Sequence, residues 1–209
     1  MAVGTHDEHS FDLDLLLSGP ATAIDVGCRG FSLPRFLASH GVEVWAYDVD
    51  PRVVDPKVPS VRYQNAAVLG RRDFRPLVGV METSDPAATS VVIGDHQNAR
   101  VAGVRIGDAA SLVGGGRVGL LKLDCEGSEY AIMEELADLH GPVFRQISVE
   151  YHDHCGKMPP GGEGWFDEIA ARLSRHYTIV KHHKETPPWG GRPAYVDCLY
   201  VAKDWRTPR

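Results

Sequence analysis

The stretch Ala23-Ile24-Asp25-Val26-Gly27-Cys28-Arg29-Gly30-Phe31 constrains the fold of this chain more than any other. An apolar run ends in an acid, turns through two glycines, and enters a helical pattern from Leu33 to His40. Pro34 falls in the first turn of that helix, where proline is tolerated. Gly41 ends it, and Val42 to Asp48 is a second apolar run tipped by an acid and stopped by Pro51. A strand, glycine turn, helix and acid-tipped strand within about 30 residues is the opening unit of a nucleotide-binding doubly wound sheet. Glycine lets backbone approach a ligand where a Cβ collides. The acid on the second strand is placed to accept both hydrogen bonds of a ribose diol.

The rest of the chain continues the alternation. Phe11, Leu13, Leu15, Leu16 and Leu17 predict a short amphipathic helix stopped by Ser18-Gly19-Pro20. Val61 to Val68 is a third strand, and Arg71 to Val80 extends it as a hairpin. Met81 to Arg100 has the pattern of a loop around Val91-Val92-Ile93, and Val101 to Ile106 reads as an additional strand. Val118 to Asp124 is a strongly apolar strand ending in an acid. Tyr130, Ile132, Met133, Leu136 and Leu139 fall at helical spacing between Ser128 and His140. Gln146 to Glu150 is a fifth core strand, Trp165 to Ser174 a helix, and Tyr177 to Lys181 and Ala194 to Ala202 two closing strands. Alternating strands and helices predict a mostly parallel, doubly wound α/β sheet covered on both faces. The last two strands lack room for a crossover helix and form an antiparallel hairpin.

At 209 residues one domain is the first expectation. A net charge of −6 repels nucleic acid, and no stretch approaches the roughly 20 apolar residues that span a bilayer. Met1 to Ser10 carries Asp7 and Glu8 and no apolar core, which is not the pattern of a secretory signal. Cys28, Cys125, Cys155 and Cys198 are scattered without metal spacing, as reduced thiols of a cytoplasmic protein are.

Gly27-Cys28-Arg29-Gly30 lacks the G-x-G-x-x-G spacing of a dinucleotide site, and bulky Arg29 stands where pyrophosphate needs a glycine. No P-loop motif occurs. Asp25 and Asp48 suit instead a ligand with a sulfonium, an ammonium and a ribose but no phosphate, which is S-adenosylmethionine. The bland alternative is that both acids end strands at solvated turns.

Three segments carry a resemblance. Asp25-Val26-Gly27-Cys28-Arg29-Gly30, Ala46-Tyr47-Asp48-Val49-Asp50-Pro51 and Leu121-Lys122-Leu123-Asp124-Cys125-Glu126-Gly127-Ser128-Glu129 resemble the FkbM-type S-adenosylmethionine-dependent methyltransferases, as does Glu150-Tyr151-His152. The chain departs from that pattern at Gly30, one place early with Phe31 in its position, and at Val49 in place of proline. The resemblance implies a Rossmann-like class I methyltransferase fold, with residues 1–20 as an N-terminal helical extension and residues 21–209 as a single domain. It implies S-adenosylmethionine as cofactor, held by Asp25, Gly27, Cys28, Gly30, Asp48 and Asp50, with Asn65 and Ala66 on the adenine.

Asp25, Asp48, Asp124 and Glu150 each end a core strand, so all four are expected in one crevice. Methyl transfer to a hydroxyl needs an in-line acceptor and a proton acceptor. Asp124 and His152 are the candidate bases; Glu126 orients the substrate or supports a helix amino terminus, and Glu150 positions His152 or the cofactor ammonium. His152-Asp153-His154-Cys155 and His182-His183 fit no zinc motif. A hard cation such as Mg²⁺ on Asp124 and Glu150 is an alternative route to an activated hydroxyl. Trp165 and Trp189 are candidate pocket walls, with Trp165 equally suited to helix core. The expected acceptor is a small-molecule hydroxyl, on a sugar or natural product, with no nucleic acid or membrane partner. RNA or protein methylation and a non-catalytic binding module are the alternatives, and edge-strand or helix contacts offer a route to a homodimer.

Overall fold

In the computed structural model, described for residues 3–6, 9–81, 90–92, 99–113, 117–152, 165–185 and 195–205, the chain forms twelve strands and five α-helices. A two-stranded hairpin, β1 (Val3–His6) and β2 (His9–Asp12), precedes α1 (Leu13–Leu17). Then come β3 (Thr22–Val26), α2 (Ser32–Ser39), β4 (Glu43–Asp48) and β5 (Val61–Leu69). An inserted section carries β6 (Leu77–Met81), β7 (Ser90–Val92), β8 (Ala99–Arg105) and α3 (Ile106–Leu112). The chain closes with β9 (Val118–Leu123), α4 (Glu129–Ala137), β10 (Phe144–His152), α5 (Trp165–Leu173), β11 (Tyr177–Glu185) and β12 (Tyr195–Ala202).

Ten strands form one sheet in the order β11-β12-β10-β9-β3-β4-β5-β8-β6-β7. The core pairs β10–β9, β9–β3, β3–β4 and β4–β5 are parallel, whereas β12 runs antiparallel to both β10 and β11. This is the Rossmann-like class I methyltransferase arrangement: a parallel core that starts in the middle, winds outward one way, returns and winds the other way, extended by parallel β8 on one side and ended by an antiparallel hairpin on the other. Period-2 alternation divides the core between the two faces. Ala23, Val44, Ala46 and Leu120 pack toward α1 and α2. Ile24, Val26, Tyr47, Leu121 and Leu123 pack toward α3, α4 and α5. Among the described residues no helix is long and apolar enough to cross a membrane.

Three local expectations are corrected. The helix expected across Phe11 to Leu17 begins only at Leu13, because the Asp12 carboxylate caps it by accepting from the Leu15 N–H at 2.9 Å. Phe11 belongs to β2 and is buried with Leu16, Leu37 and Val44. The strand expected to extend the third one as a hairpin is β6, which pairs with β8 and not with β5; β8 is the strand that lies parallel to β5. The short helix α3 was not expected, although Ile106, Ala109 and Ala110 are its buried stripe.

Gln146 fastens the hairpin. Its side chain is fully buried, its Oε1 accepts from the Asp12 N–H at 2.7 Å, and its Nε2 donates to the Asp12 carbonyl at 2.9 Å. Replacing it with an isosteric apolar residue strands two backbone groups, each costing about 1–3 kcal/mol. Gln146→Leu is therefore expected to lower unfolding free energy by roughly 2 kcal/mol or more in urea titrations. It should also speed limited proteolysis within residues 3–12.

Candidate active site

The sheet changes winding direction between β3 and β9, and ligands of open parallel sheets bind beyond the carboxyl ends at such a point. Lys122, on β9, closes this point from beneath. Its buried ammonium donates to the Gly27 carbonyl at 2.6 Å and stands 3.1 Å from Asp25 Oδ1 and 3.4 Å from Asp124 Oδ2. Burial opposes the Lys122 charge, but Asp25 and Asp124 outweigh it and raise its pKa above the ordinary lysine value. Gly27 has a φ of 80°, and a Cβ there would fall 1.6 Å from the Asp124 carbonyl oxygen. The first glycine is thus required by the approach of the β9 end.

Gly30 has a φ of 77° and no heavy atom within 4 Å of a would-be Cβ, so the turn has open space on this side. Phe31 follows it at a φ of 56°, a left-handed conformation that costs a non-glycine residue about 1–2 kcal/mol. Burial and an edge-on contact with Tyr63, ring centroids 5.3 Å apart, hold it there. The altered glycine turn therefore keeps a left-handed residue in both places.

Asp48, at the tip of β4, is buried, and its Oδ1 accepts from the Asp50 N–H at 2.8 Å. Burial pushes its carboxyl pKa up, against the opposing pull of that N–H and of Lys122. The structure brings Gly27, Cys28, Gly30 and Asp48 to one turn: Gly27 N and Cys28 N both donate to the Tyr47 carbonyl, at 2.9 and 3.3 Å. The Cys28 thiol is pushed up in pKa by burial, reinforced by Asp25 and Asp48, and stays neutral. Other expected cofactor residues have their described contacts with protein. Asp25 pairs with Lys122, Asp50 holds Arg52 through both carboxylate oxygens at 2.8 and 2.7 Å, and Asn65 Nδ2 donates to the Asp48 and Asp50 carbonyls. Ala66 is buried in β5.

All four expected catalytic residues converge. Asp124 follows β9, Glu126 lies in the next loop, and Glu150 and His152 end β10. His152 Nε2 stands 3.5 Å from Glu150 Oε1, 3.6 Å from Asp124 Oδ1 and 3.8 Å from Glu126 Oε1. Its Nδ1 meets Glu129 Oε1 at 2.9 Å. Glu129 is fully buried, and its carboxylate also accepts from the Cys125 and Gly127 N–H groups at 2.7 and 2.8 Å. Glu129 thereby holds the loop that leads into α4. Burial opposes the His152 charge, but its hydrogen bond to Glu129 and the charges of Glu129, Glu126 and Glu150 prevail and raise its pKa to about 9. Burial works against ionised Asp124 as well, yet Lys122 and His9 hold its carboxyl well below the usual range.

His9, Lys122 and Glu129 are the residues that sequence reasoning missed. His9 reaches in from β2 and places Nε2 3.3 Å from Asp124 Oδ2. Nothing in the local sequence marks it, whereas Lys122 and Glu129 lie inside the resembling motif. Trp165 is core, stacked on Tyr130 at 4.8 Å, and His182 stacks on Phe166 at 5.2 Å. Residues 153–155, Trp189 and the 82–89 segment lie outside the described residues.

No protein-family model matches the chain, and no curated protein does. Solved structures are similar to it in fold. One is a TehB-like S-adenosylmethionine-dependent methyltransferase from Corynebacterium glutamicum, at 14% identity over 91% of this chain and 85% of that one, with a TM-score of 0.46. Another is a pre-rRNA processing protein, fibrillarin, from Methanococcus jannaschii, at 11% identity over 97% and 82%, TM-score 0.48. A third is methyltransferase FkbM from Methylobacillus flagellatus, at 14% identity over 86% of this chain and 43% of that one, TM-score 0.44. The likeness is spread across methyltransferases of several kinds and singles out no one family.

Removing one partner of a buried ion cluster leaves the rest uncompensated and costs about 3–5 kcal/mol. Lys122→Met is expected to lose that much stability by chemical denaturation. Adding Asp25→Asn should recover part of the loss, whereas additive losses in the double variant would contradict the pairing.

Proposed function

We propose that this chain is an FkbM-like, S-adenosylmethionine-dependent O-methyltransferase acting on a hydroxyl of a small molecule, in a cytoplasmic setting. One observation carries the reading. The glycine turn after β3 and the Asp124 end of the His–carboxylate cluster meet at Lys122, at the switch point, which supports a cofactor on one side and proton-handling groups on the other. The donor set fits the cofactor: Asp48 offers a carboxylate to the ribose diol, and the space beside Gly30 admits backbone approach. When bound, S-adenosylmethionine supplies a sulfonium methyl group, whose C–S bond breaks as the acceptor oxygen bonds carbon, leaving the electron pair on sulfur.

The residues of the chain handle the acceptor and its proton. Asp124 is the most exposed carboxylate of the cluster, at 29%, and accepts the hydrogen bond of the acceptor hydroxyl. Because Lys122 and His9 make it a weak base, it takes the proton only late, as the new C–O bond renders that oxygen strongly acidic, and passes it to solvent. His152, protonated at neutral pH in the ion-free cluster, orients the carboxylates and does not act as the base. Glu126 positions the acceptor, and Glu150 positions His152. The net charge of −6 disfavours RNA as acceptor.

Isothermal titration with S-adenosylmethionine tests the assignment. Asp48→Ala should weaken binding by about tenfold or more, equivalent to roughly 1.4 kcal/mol. Asp124→Asn should bind within about threefold of the parent while lowering S-adenosylhomocysteine release by roughly 100-fold against a panel of sugar and natural-product alcohols. Parent-like binding by Asp48→Ala would overturn the ribose role, and no binding by the parent chain would favour a non-catalytic module.

A further inference from the structure

We propose that the same cluster is a mixed histidine–carboxylate site for one divalent transition-metal cation, with His152, Asp124 and Glu126 as its core ligands. His9 and Glu150 form an adjoining triad with the same Asp124. The two triads His9/Asp124/Glu150 and Asp124/Glu126/His152 each bring their ligand atoms within 4.8 Å of one another. They come from β2, the β9–α4 loop and β10, so the fold assembles the site from distant stretches of sequence.

The geometry around His152 distinguishes a metal site from a solvated patch of acids. Glu129, completely buried, engages Nδ1, which fixes the ring so that Nε2 points at Asp124, Glu126 and Glu150. A buried carboxylate on the far nitrogen is how metal-ligating histidines are oriented. Three carboxylate oxygens stand around Nε2, at 3.5, 3.6 and 3.8 Å. Bonds of about 2.0–2.2 Å to a common ion place neighbouring ligand atoms roughly 2.9–3.5 Å apart, so a small inward adjustment completes the shell. Lys122 lies beside Asp124 Oδ2, while Oδ1 is the oxygen nearer His152.

Ligand chemistry selects the ion. An all-oxygen site suits Mg²⁺, but imidazole nitrogen favours Zn²⁺, Mn²⁺, Fe²⁺ or Co²⁺. Two imidazoles beside the same carboxylates favour a softer ion over the Mg²⁺ considered from sequence alone. The ion's role rests on the methyl-transfer reading, as a Lewis acid that lowers the pKa of a bound acceptor hydroxyl; its binding does not.

The test is titration of the chelator-stripped, tag-free full chain with Zn²⁺, Mn²⁺ and Mg²⁺, without cofactor, with bound metal counted by elemental analysis. One equivalent of Zn²⁺ or Mn²⁺ should bind at least 100-fold more tightly than Mg²⁺. His152→Ala should weaken it by about 100-fold, and Glu126→Gln and His9→Ala by about tenfold each. Bound Co²⁺ should give a visible absorption band that His152→Ala abolishes; the partly exposed Glu126→Gln supplies the same comparison if His152→Ala does not fold. No stoichiometric metal, equal affinity for Mg²⁺, or binding unchanged in Glu126→Gln and His152→Ala would overturn the site. Cofactor binding without metal binding would sink this proposal alone, and metal binding without cofactor binding would sink only the methyl-transfer reading.

Discussion

The ammonium of Lys122 is the interaction on which the rest of the structure depends. It lies at the switch point, where β3 and β9 leave the sheet in different directions, and ties together the Gly27 carbonyl, Asp25 and Asp124. One buried cation thereby fixes both the turn proposed to meet the cofactor and the acid proposed to face the acceptor. Gly27 belongs to the same constraint, since only a residue without a Cβ lets the end of β9 come so close. The Gly27 turn and Asp124 are thus joined through one side chain.

A second layer is built from groups that face this unit without belonging to the parallel sheet. Glu129 is buried where the β9–α4 loop turns, and it holds both that loop and the His152 ring. The N-terminal hairpin brings His9 to Asp124, while His6 of the same hairpin stands 3.0 Å from Ser32 Oγ at the start of α2. The hairpin thus bridges the helix after the glycine turn and the acid after β9. Gln146 anchors its backbone at Asp12, beside the side-chain contacts of His6, His9 and the buried Phe11.

The parallel core was legible because its signals are local. Asp25, Asp48, Asp124 and Glu150 lie within two residues of the carboxyl ends of their strands, and the four catalytic candidates converge. Contacts between distant parts of the chain were not legible. His9 and Asp124 are separated by 115 positions, and no periodicity connects them. Asp25 reads from sequence as a ligand-facing acid, because a strand-end carboxylate gives no sign that a lysine on another strand neutralises it. Asn65 reads as an adenine contact, yet its amide braces the carbonyls after β4. The strands β6 and β8 pair by a route that hydropathy does not encode, and α3 is too short for its stripe to stand out.

The most direct test of a cofactor site at this switch point is a crystal structure of the full chain grown with S-adenosylhomocysteine. The expected result is ligand density beyond the carboxyl ends of β3 and β4, with the ribose hydroxyls on Asp48 and the sulfur directed toward Asp124 and His152. Density for the ligand away from the Gly27–Gly30 turn, or an empty crevice at saturating ligand, would contradict it.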